Sequence, residues 1–343
     1  MRVAGAARAA VVLAALVFGW ALFQPFAGDG GDPVRVVIPK DGSVSRIADI
    51  LDRAGVIESA ALFELRATLA GKRGDLKPGA YSLREDMSYG DVIDRLAAGP
   101  VGDVLTVTIP EGLSRREIAP LAAKAGVMGD YRSASMSSPA LDPRRYGAER
   151  PPDSLEGFLF PATYELRRGA RAQSLVAKQL AAFKERIRTV DLSYARRKNL
   201  TAFDVVTIAS MVEREARLER ERPLVAAVIY NRLHERIPLG VDATIRFATG
   251  NWTSPLSTSE LRSPSAYNTR THPGLPPGPI GNPGLASLED AAHPAHGGYL
   301  YYVVKPGTCG RHAFSTTFAQ FQRDSARYEA ARRANGGRSP TRC

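Results

Sequence analysis

Twenty consecutive residues near the amino terminus, Ala9 to Gly28, carry no charged side chain. At ~1.5 Å rise per residue, a helix of that length spans the ~30 Å apolar layer of a bilayer. The most apolar part, Ala9 to Phe23, also has the length of a signal-peptide core. However, Gln24, Pro25 and Phe26 follow it instead of a small-x-small cleavage site. The expectation is an uncleaved anchor rather than a removed signal. A buried core helix would need a polar stripe, which this run lacks. Arg2 and Arg8 precede the run, and Asp29 and Asp32 follow it. The positive-inside rule therefore keeps residues 1–8 in the cytoplasm and exports the rest. The expected location is the inner (cytoplasmic) membrane, crossed once, with the body periplasmic or extracellular.

A chain of 343 residues leaves room for about two domains beyond the anchor. Its 44% hydrophobic and 24% charged residues exclude a disordered or collagen-like chain. A formal charge of +11 suits an anionic lipid surface, an acidic polymer or nucleic acid, without choosing among them. Export argues against nucleic acid, the basic residues are dispersed, and no DNA-binding motif is present. The only cysteines, Cys309 and Cys343, lie too late to staple two domains. His293 and His296 form an HxxH pair, but Pro294 separates them and no HExxH or Cys/His cluster accompanies them, so no metal site is expected.

After a GDGGDP linker at 28–33, Val34 to Pro39 alternates like a strand. Helical spacing follows over Val44–Ala54, Ser59–Ala70 and Ser88–Ala98, with a short strand within Leu76–Leu83. This strand–helix–helix–strand–helix order resembles a LysM-like glycan-binding module. Val104 to Pro110 alternates strictly, and Ser114 and Glu117 make a capping box for a helix reaching about Ala125. Residues 128–153 read as a long polar surface segment. Long helices are expected over Ser174–Val190, Ala202–Leu218, Arg222–His234 and Phe318–Asn335. A strand is expected at Tyr299–Lys305, with His312–Thr316 as a possible pairing partner. Residues 252–298 are dense in Pro, Gly, Ser, Thr and His.

Two stretches carry chemistry. On a helix, Ile208, Met211, Val212, Glu215 and Glu219 share one face, so Glu215 continues an apolar stripe. Glu213 points elsewhere, with Arg217 at i+4 as an ion-pair partner. A carboxyl group lining an apolar cleft loses hydration when charged, its pKa rises, and it becomes a general acid near neutral pH. The alternative is a rim carboxylate paired with an arginine. The second stretch, 262–284, is a long segment without regular structure, which packed domains keep where a loop works. In it Tyr267, Asn268 and Thr269 offer an aromatic face, an amide and a hydroxyl, a set suited to a sugar; the alternative is a rigid surface loop.

With these residues in view, the chain resembles the endolytic murein transglycosylase (YceG-like, MltG) family. The motifs are EGFLFPATY at 156–164, ASMVEREA at 209–216, YNRL at 230–233, PLGVDATI at 238–245, SPSAYNTRTHPGLPPGPIGNPG at 263–284, YLYYV at 299–303 and the glycine–His-x-Phe close at 310–314. The resemblance implies an α+β chain. It would comprise a cytoplasmic N-terminus (1–8), a transmembrane helix (9–28), a small LysM-like α+β module (29–103) and a larger α+β catalytic domain (104–330) with a long irregular substrate loop; a flexible tail (331–343) is extra to the family pattern. It implies non-hydrolytic cleavage of the MurNAc-β-1,4-GlcNAc bond of peptidoglycan to 1,6-anhydro-MurNAc ends, acting on nascent glycan, with Glu215 as the catalytic acid. Glu213 and Asp242 would assist it. Asn231, Tyr267, Asn268, Thr269, Glu156 and Tyr164 would hold substrate. Implied partners are glycan strands, the membrane and peptidoglycan synthases, and the implied reaction needs no metal or organic cofactor. Two other readings remain open: a two-carboxylate muramidase using Glu215 with Asp242 or Glu111, and a membrane-anchored peptidoglycan-binding or division scaffold without catalysis.

Overall fold

A computed structural model describes residues 13, 17–20, 22–24, 31–100, 104–149 and 152–340. The expected anchor, 9–28, falls largely outside them. Among the described residues no helix is long and apolar enough to cross a membrane. The chain divides into two compact units, Met1–Val104 and Leu105–Cys343.

In the first unit, β1 (Pro33–Ile38) leads to α1 (Val44–Arg53) and α2 (Ala60–Leu69), then to β2 (Gly79–Arg84) and α3 (Tyr89–Ala98). The strands pair antiparallel, with Val36 opposite Tyr81 and Val34 opposite Leu83. Val36, Ile38, Tyr81 and Leu83 face inward while Val37 stays exposed, as the two-residue period of a strand requires. Each helix starts on a serine whose hydroxyl accepts a main-chain N–H of the first turn: Ser43 from Arg46, Ser59 from Leu62 and Ser88 from Asp91. Leu51, Phe63, Val92 and Leu96 are fully buried between these elements.

The second unit is mostly helical. β3 (Val104–Thr108) enters it and is followed by α4 (Arg115–Lys124), opened by the Ser114–Glu117 capping box, and by the short α5 (Tyr131–Ala134). β4 (Thr163–Arg167) pairs with β3. Then come α6 (Ala172–Ile187), α7 (Ser193–Arg197), α8 (Ala202–Glu215), α9 (Arg222–His234), α10 (Asp242–Thr249), α11 (Thr258–Leu261) and α12 (Leu285–Ala292). The antiparallel hairpin of β5 (Tyr301–Val304) and β6 (His312–Ser315) precedes α13 (Phe318–Ala334).

α8 is the centre of this unit. Every residue from Val205 to Val212 is buried, and α9, α10 and α12 pack around it. It starts on a Thr201–Asp204 capping box. It ends three residues earlier than its periodicity suggests, because Ala216 turns extended (φ −82°, ψ 108°). The chain re-forms as a 3-10 turn, Glu219–Glu221, and enters α9 with Pro223 in its first turn, where a missing N–H costs nothing. Arg217 is therefore off the helix, and among the described residues no ion pair joins it to Glu213.

One further expectation is corrected. Residues 128–153 are not simply a surface segment: Tyr131, Leu141 and Ala148 enter the core. The tyrosine hydroxyl donates to Gln179 Oε1 at 2.6 Å. Residues 262–284 hold no helix or strand and run between α11 and α12, and α12 packs on α8.

Candidate active site

Glu215 is the last residue of α8. Behind it Ile208, Met211 and Val212 are fully buried, while Glu215 itself is half-buried. Its Oε2 accepts the Tyr302 hydroxyl at 3.1 Å. Burial pushes its pKa above the ordinary glutamate value. The Tyr302 hydrogen bond opposes that rise, the neighbouring Asp242 charge adds to it, and His312 and the Ala243 N–H oppose it. A helix C-terminus, with its partial negative charge, also favours the neutral acid.

Asp242 is the first residue of α10, and its Oδ1 accepts Arg270 Nε at 3.0 Å and Nη2 at 2.6 Å. Arg270 comes from the 263–284 loop, so the loop and the acid belong to one assembly. Thr269 makes the join: its Oγ1 accepts the Val241 N–H at 3.0 Å and meets Thr244 Oγ1 at 3.1 Å. Its carbonyl takes the Gly240 N–H at 3.0 Å.

The structure separates the expected sugar-contacting residues into two groups. Asn268 and Thr269 are buried, and the Asn268 amide donates to the Leu261 and Ser263 carbonyls while its Oδ1 accepts the Arg270 N–H. Asn231 donates to the carbonyls of Gly297 and Tyr299 at 2.8 and 2.9 Å. Tyr164 is buried, with its hydroxyl on the Phe160 carbonyl at 2.6 Å. Glu156 is 5% exposed; it accepts the Arg115 N–H on both oxygens and Asn282 Nδ2 at 2.8 Å, and burial pushes it up to about 8. The polar groups of these five are taken up by the protein, so they shape the loop and its supports instead of presenting free donors to a sugar. Tyr267, Asp242 and Glu213 form the other group. Tyr267 is half-buried, its ring 5.0 Å from that of Phe247. Glu213 accepts the Gly284 N–H at 3.0 Å, and its charge adds to the burial that raises the pKa of Glu111. Glu111 needs a glycine at 284, because a Cβ there would lie 2.0 Å from its Oε1.

Sequence reasoning assigned no role to Tyr302, His312, Glu221, Arg270 or Asn282. Tyr302 and His312 lie inside the 299–303 and 310–314 motifs and Arg270 and Asn282 inside the 263–284 motif, but strand periodicity does not reveal which side chain reaches a helix end 87 residues earlier in the chain. Arg214 was likewise unassigned. It pairs with Glu117, and its guanidinium lies 3.8 Å from the centroid of the Trp252 ring.

The YceG-like family model matches residues 36–327. The chain is 29% identical over 335 residues to the endolytic murein transglycosylase of Bacillus subtilis (strain 168), spanning 93% of this chain and 91% of that protein. It is 31% identical over 301 residues to the endolytic murein transglycosylase of Streptococcus pneumoniae (strain ATCC BAA-255 / R6), covering 79% of this chain and 54% of the longer pneumococcal protein. The crystal structure of a yceG-like protein from Listeria monocytogenes superposes with a TM-score of 0.56 at 27% identity, over 86% of this chain and 99% of that one. On the strength of a match that runs from the first unit through the hairpin and into α13, this chain belongs to the YceG-like family.

Proposed function

We propose that the chain is an endolytic peptidoglycan lytic transglycosylase in which Glu215 is the acid and then the base. The observation that carries the reading is the half-buried Glu215 carboxyl, at the end of an apolar helix, in a chain related along its length to endolytic murein transglycosylases. Glu215 gives its proton to the glycosidic oxygen between MurNAc and GlcNAc as the C1–O bond breaks. The C6 hydroxyl of the same MurNAc then attacks C1, returning its proton to Glu215 and closing the 1,6-anhydro ring. One carboxyl suffices because the nucleophile belongs to the substrate, whereas hydrolysing glycosidases need a second carboxylate for water or for a covalent intermediate. Tyr267 offers an aromatic face to the glycan, and Asp242, held by Arg270, stands beside Glu215 to stabilise positive charge at C1.

The finer reading is that residues 9–28 anchor the enzyme in the inner membrane and that the first unit is LysM-like. Exported and tethered, the enzyme meets nascent strands near the peptidoglycan synthases, and the +11 charge draws it to anionic lipid and stem-peptide carboxylates. The β1–α1–α2–β2 order of the first unit supports the LysM-like reading.

Purified uncrosslinked glycan digested with wild type should yield anhydro-ended fragments, and Glu215→Gln should lower the rate by about 10²–10⁴-fold. Anhydro products from Glu215→Gln at the wild-type rate would remove Glu215 from the mechanism. Reducing ends from wild type would instead mark a muramidase.

A further inference from the structure

We propose that Tyr302 is a positioning residue for the Glu215 carboxyl, fixed in place by a buried Glu221–His312 pair. The inference rests on the assignment of Glu215 as the acid. Tyr302 Oη reaches Glu215 Oε2 at 3.1 Å from β5. The hairpin register sets Tyr302 opposite Phe314 and Val304 opposite His312, so Tyr302 and His312 project from the same face. Their rings meet edge to face, with centroids 5.2 Å apart and planes at 84°. His312 is tied in turn to one carboxylate by two groups: its Nδ1 lies 2.7 Å from Glu221 Oε2, and its main-chain N–H donates to Glu221 Oε1 at 2.9 Å. The two side chains are 7% and 3% exposed.

Such a pair is an expensive way to hold two strands and a turn together, since apolar residues of similar volume commonly serve stability as well or better. Its location supplies a purpose. Glu221 ends the 3-10 turn created where α8 stops at Glu215, so the same break that exposes the acid delivers Glu221 to β6. The pair then immobilises the ring against which Tyr302 leans. Tyr302 keeps its own proton throughout and acts only on Glu215, donating to the carboxyl in both protonation states and more strongly when it is charged. The groups facing Glu215 are Tyr302 from β5, His312 from β6 and Asp242 from α10 with its Arg270 partner. Arg232 acts on the phenol of Tyr302.

The test is the pH dependence of anhydro-end formation by the full chain. Tyr302→Phe should lower kcat by ~10- to 100-fold with little change in KM, and should move the alkaline limb upward, because the donor that favoured the charged carboxyl is gone. Replacing Tyr302 with 3-fluorotyrosine, an isosteric and stronger donor, should move the same limb downward. His312→Gln should lower kcat in the wild-type background and by a smaller factor when residue 302 is already Phe, the difference being the part that acts through the phenol and the remainder its direct charge on Glu215. A limb that stays put in both Tyr302 variants, while Glu215→Gln is inactive, overturns this inference and leaves the acid assignment intact. Activity retained by Glu215→Gln overturns both. If Tyr302→Phe does not fold, the fluorotyrosine shift decides.

Discussion

Replacing Glu156 with glutamine should make the second unit more stable at neutral pH, although the substitution lies in the core. In the unfolded chain a glutamate loses its proton near 4.5, whereas burial pushes Glu156 up to about 8 in the folded protein. Below 4.5 both states hold the proton and the site contributes no pH dependence. Between the two values the unfolded chain is ionised while the folded one retains its proton, so each pH unit removes about 1.4 kcal/mol of stability. Above about 8 both are ionised and the loss levels off near roughly 5 kcal/mol. At pH 7 the loss is about 3 kcal/mol. Glutamine keeps one acceptor for the Arg115 N–H and Asn282 Nδ2, and it cannot titrate.

The assay is urea unfolding of the full chain from pH 4.5 to 8.5, followed by Trp252 fluorescence in a Trp20→Phe background so that the second unit is read alone. The difference between Glu156→Gln and wild type should grow with pH and then flatten near pH 8, which cancels every other titrating group. Parallel curves for the two proteins would refute the reasoning.

Asn282→Ala should destabilise the second unit by about 3–5 kcal/mol in the same assay, since it strips partners from the Leu159 N–H, the Leu113 carbonyl and Glu156 at a site with no solvent access. Gly157→Ala should cost at least about 2 kcal/mol: φ is +86°, and a Cβ would lie 2.4 Å from Pro279 Cγ and 2.9 Å from Val206 Cγ1. Asp242→Asn should move the alkaline limb of the rate profile downward, because the charge of Asp242 helps keep Glu215 protonated.

What the sequence disclosed follows from the range of the forces involved. The helices of the first unit begin at the serines that cap them, because capping and periodicity act within one turn. The apolar stripe Ile208–Met211–Val212 pointed to Glu215 for the same local reason, and Pro223 marks the next helix start. Asn268 and Thr269 looked like sugar ligands because amide and hydroxyl groups hydrogen-bond a loop as readily as a glycan. Only the fold shows that those groups are spent on Leu261, Ser263 and Val241. Tyr302 and Glu221 were illegible for the converse reason. Their partners lie 87 and 91 residues away, a separation no residue pattern encodes.

A raised carboxyl pKa is not by itself the mark of the acid here. Burial is the first cause of the rise at Glu111, Glu156 and Glu215 alike. Glu156 has donors on both oxygens and almost no exposure, so it cannot meet a glycosidic oxygen without unmaking its own bonds. Glu111 sits against the Gly284 backbone beside Glu213, whose charge adds to the burial that raises it. Glu215 differs in combining apolar backing, partial exposure and a phenol on Oε2 that resists the rise it undergoes. An acid that must also serve as base needs both forms within reach at one pH. A partly exposed carboxyl raised by burial and restrained by Tyr302, His312 and the Ala243 N–H meets that need.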